Sequence, residues 1–261
     1  MHATIHTSTQ ALLPLALPFK PLLHDVRAGL NTAALHAAQR WLTPPERLVC
    51  MDGSSQSALD TCERLVLCWG AQGVGKTLLS HALVNSTPAA GLLPVGLSAM
   101  YLSPASTLAE FESAAAHSAV VLDDVHALNP AQAVAAFNLY NHIRENSHQR
   151  WWATSRVPPS HMTSLLPDLA SRMAWGLVFE LLPLGDDDSV QVLQAQSLRL
   201  GFELSLEAAH YLLVRLERNL AVLVQHLASL NRYALTLKKP VTRHLVQQWH
   251  GTVYLPALHK N

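Results

Sequence analysis

The sequence predicts a doubly wound α/β domain built on a parallel sheet, followed by a small all-helical domain. Three observations carry that prediction. Short continuous apolar runs alternate with helical stretches as far as Pro183, the first run ends in a glycine-rich loop that opens a helix, and only helical periodicity continues beyond.

Residues 1–23 are punctuated by Pro14, Pro18 and Pro21 and read as an extended tail. A helix is predicted over Asn31–Trp41, where Leu35, Ala38 and Leu42 fall on one face. The 43–61 stretch, with Pro44-Pro45 and Asp52-Gly53-Ser54-Ser55, is turn-rich and reads as a surface loop insertion. Leu65-Val66-Leu67-Cys68-Trp69 is an unbroken apolar run, as expected of a strand covered on both faces.

A helix follows over Lys76–Asn85. Further strands are predicted at Val95–Leu102, Ala119–Leu122, Trp151–Thr154 and Leu177–Leu181, with helices at Ser106–Ala116, Ala131–Asn146 and about Leu165–Met173 between them. Four helices are then expected, over Asp186–Leu200, Ser205–Arg218, Asn219–Leu237 and Thr242–Trp249. Several start at an Asp, Ser, Asn or Thr suited to capping, and Gly201 and Pro240 separate neighbours. The chain thus divides into the 1–23 tail, an α/β domain over 24–183 and a helical domain over 184–261.

Apolar residues make up 49% of the chain and charged residues 14%, so core material is ample, and the formal net charge is zero. No global basic field exists to hold nucleic acid by its phosphates, so any such contact must be local or indirect. The three cysteines, Cys50, Cys62 and Cys68, form no CxxC pair and point to a reducing compartment. The apolar stretch Ala11–Leu23 has no cationic lead and is broken by Pro14, Pro18, Lys20 and Pro21, which excludes a signal peptide; no run is long enough to span a bilayer. A soluble cytoplasmic protein is expected.

The chemistry is concentrated in two motifs. Gly70-Ala71-Gln72-Gly73-Val74-Gly75-Lys76-Thr77, with Leu78 behind it, fits the phosphate-binding loop pattern in full. Gly73 and Gly75 let backbone amides wrap phosphates, Lys76 reaches the outer ones, and the Thr77 hydroxyl can ligate Mg²⁺. Such a loop needs acids at the end of a neighbouring strand, and Ala119-Val120-Val121-Leu122-Asp123-Asp124 supplies them. Asp123 would hold Mg²⁺ and Asp124 would orient or deprotonate an attacking water. Together they bind a nucleotide with Mg²⁺, without saying what work it does.

Beyond these motifs, Leu122–Leu128, Phe137–Ile143, Ala153–Pro159 and above all Leu166-Pro167-Asp168-Leu169-Ala170-Ser171-Arg172-Met173-Ala174-Trp175-Gly176 resemble the DnaA-related branch of the AAA+ ATPases. Within that branch they resemble the Hda family of DnaA regulatory inactivators. The resemblance implies that the helical domain is an AAA+ lid and that ADP or ATP is the ligand. It also implies that Arg172 is an arginine finger acting in trans and that Arg218 is a lid arginine reaching the chain's own nucleotide. Gln10-Ala11-Leu12-Leu13-Pro14-Leu15 resembles the family's peptide for the replicative sliding clamp, with Gln10 in a polar subsite, Leu13 and Leu15 in an apolar one, and Pro14 limiting the entropy lost on docking.

The implied function is hydrolysis of DnaA-bound ATP on DNA-loaded clamp, giving DnaA–ADP that is inactive for initiation. The chain would be an activator of another protein's ATPase, at the bacterial nucleoid through its partners, touching DNA only through the clamp; a homo-oligomer stays open. Two features depart from the family. Arg156 stands where an acidic or amide residue is usual, which argues against efficient self-hydrolysis. Little sequence follows Trp249, so the DNA-binding domain with which initiators end is not expected. An autonomous ATPase such as a helicase loader, or a DnaA-like adaptor, remains as the alternative. For Arg172 alone, an ion pair with Asp168 one helical turn earlier is the plain alternative.

Overall fold

The computed structural model describes residues 20–43, 61–87, 98–162, 166–216 and 219–254. The clamp peptide, most of the 43–61 insertion, Arg218, Leu165 and the start of the 95–102 run lie outside the described residues.

A 3-10 turn at Leu23–Asp25 leads into α1 (Thr32–Leu42), which buries Ala34, Ala38 and Trp41. Leu35 and Leu42, expected on the core face, flank it half-buried. Trp41 takes the centre because its ring meets Trp152 edge-on, with centroids 5.8 Å apart, while its indole N–H donates to the Arg64 carbonyl at 3.3 Å. The α/β alternation then runs through α2 (Thr61–Arg64), β1 (Leu65–Trp69), α3 (Lys76–Ser86), β2 (Ala99–Leu102), α4 (Leu108–Ser113), β3 (Ala119–Leu122), α5 (Pro130–Glu145), β4 (Arg150–Ser155), α6 (Pro167–Met173) and β5 (Leu177–Glu180).

The five strands form one parallel sheet in the order β2-β3-β4-β1-β5. Alternating side chains feed two apolar layers. Leu65, Leu67 and Trp151 pack with Phe111 of α4, Tyr140 of α5 and Leu169 of α6, whereas Val66, Cys68 and Trp152 pack with Trp41 of α1 and Leu79 of α3. Strand β5 is one of the two edges, and only half of it is covered: Val178 is 38% exposed.

The predicted 106–116 helix is shorter than its pattern. Thr107 caps α4 in a reciprocal box with Glu110, and after Ser113 the chain tightens into a 3-10 turn over Ala114–Ala116 that delivers it to β3.

The helical part consists of α7 (Asp186–Arg199), α8 (Leu206–Arg215), α9 (Leu220–Leu237) and α10 (Arg243–Trp249), ending in a π-type turn over His250–Tyr254. Ser205, Asn219 and Thr242 each accept a backbone N–H as N-cap, so the start of each helix falls where capping chemistry predicted it. A separate core of Leu193, Leu212, Leu227, Val246 and Trp249 holds these helices together. Among the described residues, no helix is long and apolar enough to cross a membrane.

The segment before α1 ties the two parts together. Asn31 exchanges two hydrogen bonds with the Leu182 backbone, at 2.9 and 2.7 Å, and Arg199 of α7 meets Asp25 at 2.5 Å. Burial pulls the Asp25 pKa upward, but the Leu22 amide and the Arg199 guanidinium outweigh it and leave the pKa below its ordinary value. A carboxylate with a lowered folded pKa stabilises the native state at neutral pH and loses that contribution as pH falls through the folded pKa. The thermal midpoint of the native protein is therefore expected to exceed that of Asp25→Asn at neutral pH, with the difference closing as pH falls below about 4.

Candidate nucleotide site and arginine platform

Strand β1 ends in the middle of the sheet, beside β4, and the loop that follows is pinned where it starts: the Gly70 N–H donates to the Ser155 carbonyl at 3.1 Å. Gly73 and Gly75 have φ of +84° and +98°, a region costly for side-chain-bearing residues. A β-carbon at Gly75 would meet nothing within 4 Å, so this stretch of backbone faces open space at the head of α3. Lys76 is 6% exposed and its ammonium donates to the carbonyls of Gly70 at 2.9 Å and Ala71 at 2.8 Å. One of its three donors is left for an anion. Burial lowers the Lys76 pKa, Asp124 and Asp123 raise it, and Arg156 lowers it again, for a net decrease.

Asp123 leaves β3 at 3% exposure inside a cage of hydroxyls. Ser80 Oγ, one turn past Thr77 on α3, donates to Oδ1 at 3.0 Å; Thr154 Oγ1 from β4 donates to the same oxygen, and Tyr101 Oη from β2 donates to Oδ2 at 3.2 Å. Thr154 also accepts the Asp124 N–H at 3.0 Å, so one hydroxyl sets both acids. Asp124 itself takes a left-handed backbone, φ 50°, which turns it out of the strand line. His126 lies 3.9 Å from the Asp124 carboxylate and accepts the Arg156 backbone N–H on Nδ1 at 3.3 Å. Burial lowers the His126 pKa; Asp124 opposes this and Arg156 reinforces it.

The open amide turn, the spare donor on Lys76 and the oxygen donors on Thr77 and Asp123 fit a nucleotide's phosphates and a hard cation. Val74 and Leu78 flank the turn, and Thr77 is exposed on the first helical turn. Lys76→Ala is expected to weaken nucleotide binding about 10–100-fold, read by titration with a fluorescent nucleotide.

Arg172 is elsewhere. It sits half-exposed in the last turn of α6, donates to Asn141 Oδ1 and lies 4.6 Å over the Phe137 ring and 5.8 Å over Trp175. Arg144 lies over the same Trp175 ring at 4.7 Å. The Tyr140 hydroxyl donates to the Arg172 carbonyl at 2.7 Å, fixing the backbone. The alternative ion pair with Asp168 is not formed. The Arg172 side chain contacts α5 and Trp175, and neither the phosphate loop nor Asp123–Asp124 is among its partners.

Comparison with known proteins bears on both regions. Residues 66–174 match the model of the ATPase family associated with various cellular activities (AAA), and residues 186–249 match the Hda lid domain. The chain therefore joins an AAA-type core to an Hda-type lid, in the order of an AAA+ protein. Among solved structures, it is similar to domain III of Thermotoga maritima DnaA (20% identity, TM-score 0.66, 86% of this chain and 93% of that one). AMPPCP-bound DnaA of Aquifex aeolicus matches at 18% identity and a TM-score of 0.60, over 79% of this chain and 64% of that one. The Thermotoga maritima RuvB branch-migration motor matches at 16% and 0.57, over 84% and 69%. At such identities the likeness to solved structures shows the fold alone.

The structure of this Hda-like chain brings Gly70, Gly73, Val74, Gly75, Lys76, Thr77, Leu78, Asp123 and Asp124 into one region and sets Arg172 apart from it. Arg218 and the peptide residues Gln10, Leu13, Pro14 and Leu15 lie outside the described residues. Sequence reasoning missed Ser80, Tyr101, His126 and Asn219. Asn219 caps α9 and closes on the loop, where a β-carbon at Gly73 would come within 2.4 Å of its side chain. Helical spacing from Thr77 could have found Ser80; the others depend on which strands and domains lie side by side.

Proposed function

We propose that this chain regulates the initiation of chromosome replication. It holds ADP or ATP with Mg²⁺ in its own site and docks through Gln10–Leu15 on DNA-loaded sliding clamp. There it presents Arg172 to ATP bound by DnaA, and hydrolysis leaves DnaA–ADP, inactive for initiation. The observation that carries this reading is the placement of Arg172. A guanidinium whose contacts are an amide oxygen and two aromatic rings, and not its own phosphate loop, is preorganised for a phosphate on another molecule.

The Hda-type lid and the DnaA-like core support the same reading. Bound in the chain's own site, a nucleotide supplies the negative charge that Lys76 and the loop amides are built to meet. Asp123 keeps its carboxylate beside the loop because three hydroxyls orient it, and by the family resemblance Arg218 reaches the same nucleotide from the lid. In the trans reaction Arg172 offers planar positive charge to the phosphoryl group in transfer. DNA is reached through the clamp, in the bacterial cytoplasm.

The test is hydrolysis of ATP pre-bound to DnaA on clamp-loaded DNA, with the native protein and with Arg172→Ala. An autonomous ATPase of the helicase-loader kind is the second reading, favoured by the intact Lys76, Asp123 and Asp124. Steady ATP turnover by the isolated protein, with no effect on DnaA-bound ATP, would replace the first reading by the second.

A further inference from the structure

We infer that Arg144 is a partner-recognition residue: with Trp175 it extends the Arg172 face into a two-cation surface that associates with the anionic nucleotide site of another protein. The inference deepens the reading above and rests on it.

The surface is built from the ends of two helices. Phe137, Asn141 and Arg144 follow one another at helical spacing along one face of α5. Arg172 rests on the first two. Arg144 stands one turn further on, its guanidinium 4.7 Å from the centre of the Trp175 ring, over which Arg172 also lies at 5.8 Å. Tryptophan is highly buried on average, yet Trp175 is 53% exposed, and the chain fixes it there. Its backbone N–H donates to the Arg172 carbonyl at 3.0 Å, and a β-carbon on the next residue, Gly176, would come within 1.8 Å of the Leu65 carbonyl oxygen. The Arg144 backbone is held as well, because its carbonyl accepts from the buried Arg64 at 3.4 Å. Burial raises the Tyr140 pKa to about 12 and the Arg144 and Arg172 charges both oppose the rise, so the two cations stand on the same side of the fold.

No acid of the chain answers these charges. Among the described residues neither Arg144 nor Arg172 forms an ion pair. Glu145 is the next residue on α5, and adjacent helical positions do not face each other. Two unpaired guanidiniums at one exposed ring call for a dense anion from outside. A nucleic-acid backbone needs a longer track of cations and more than one stacking ring, on a chain that is neutral overall. A nucleotide held by another protein gathers its negative charge at one point, and that complements two cations at one ring. The two have different tasks. Arg172 is half-buried and preset for the phosphoryl group, whereas Arg144 is exposed and acts through its field on encounter and release, outside the chemistry.

The experiment follows single-turnover hydrolysis of ATP pre-bound to DnaA on clamp-loaded DNA, over a range of regulator and salt concentrations. Native protein is compared with Arg144→Ala, Arg144→Lys and Arg144→Glu. Arg144→Ala is expected to raise the half-saturating concentration about three- to tenfold, to flatten its salt dependence, and to keep the saturated rate within about twofold. Arg144→Glu should raise that concentration further, and Arg144→Lys, which keeps the charge, should recover most of the loss. The Arg64 bond reaches the Arg144 backbone, so an unchanged thermal midpoint is expected and establishes that the variants are folded. A lower saturated rate at unchanged half-saturation, or no change in either, overturns the inference and leaves the trans reading in place. Half-saturation unchanged while Arg144→Ala abolishes a homodimer in sedimentation also overturns it, and assigns the face to a second copy of this chain. Failure of the native protein to stimulate hydrolysis overturns both.

Discussion

Arg172→Ala should reduce the stimulated hydrolysis of DnaA-bound ATP by about a thousandfold or more, toward the rate of DnaA alone. The size follows from what a finger does. It adds charge where the transferring phosphoryl group develops it, in a site from which water is excluded, and no other group replaces it. Arg172→Lys should recover little, because an ammonium lacks the planar fork and stacks less well on Phe137. The substitution leaves the fold intact, since the residue is half-exposed and its carbonyl still accepts the Tyr140 hydroxyl.

The kinetic form of the loss matters as much as its size. A group that acts only in the transition state lowers the rate at saturating regulator, whereas removing Gln10–Leu15 raises the concentration of regulator needed and leaves the saturated rate alone. Single-turnover hydrolysis over a range of regulator concentrations separates these two effects. Full stimulation by Arg172→Ala would mean that the family resemblance had assigned the wrong residue.

Parts of this arrangement were legible in the sequence because local chemistry dictates them. Five apolar residues before a glycine-rich turn could only be a strand covered on both faces, and β1 is that strand. Residues with short polar side chains marked where α8, α9 and α10 begin because unpaired amides there need acceptors. The cage around Asp123 was not legible, since Tyr101 and Thr154 reach it only when β2 and β4 flank β3. Periodicity identifies strands and is silent about their neighbours.

Helical spacing also suggested the wrong partner for Arg172. An exposed i, i+4 pair with Asp168 contributes a few tenths of a kcal/mol, about 0.3–0.5. The half-buried face of α5 offers an amide oxygen and an aromatic ring together, and the guanidinium turns there.

The other large effect expected is on stability. Arg64→Met should lower the unfolding free energy by about 3–5 kcal/mol in urea titration. Arg64 is 4% exposed at the end of α2, and one of its terminal nitrogens donates to the carbonyls of Ile143 at 3.3 Å, Asn146 at 3.0 Å and Gln149 at 2.6 Å. The other donates to the Arg144 carbonyl at 3.4 Å. These carbonyls crowd the end of α5 and the turn after it, where a helix leaves acceptors unpaired and carries partial negative charge. Methionine would fill much of the volume but take the guanidinium's donors from all four carbonyls, of which those of Ile143 and Asn146 keep a backbone N–H. Arg150, nearby, does the same for α1 through the carbonyls of Trp41 and Thr43, and burial together with the Arg64 charge pushes its pKa down to about 10. Arg64→Lys should recover only part of the loss, because one ammonium cannot span all four oxygens. A loss below about 1 kcal/mol for Arg64→Met would mean that water replaces the guanidinium at those carbonyls. The position also has a functional consequence. Arg64 joins the start of β1, which carries the phosphate loop, to the end of α5, which carries Phe137 and Asn141 beneath Arg172. One buried cation therefore braces the element that carries the phosphate loop against the element on which the Arg172 side chain rests.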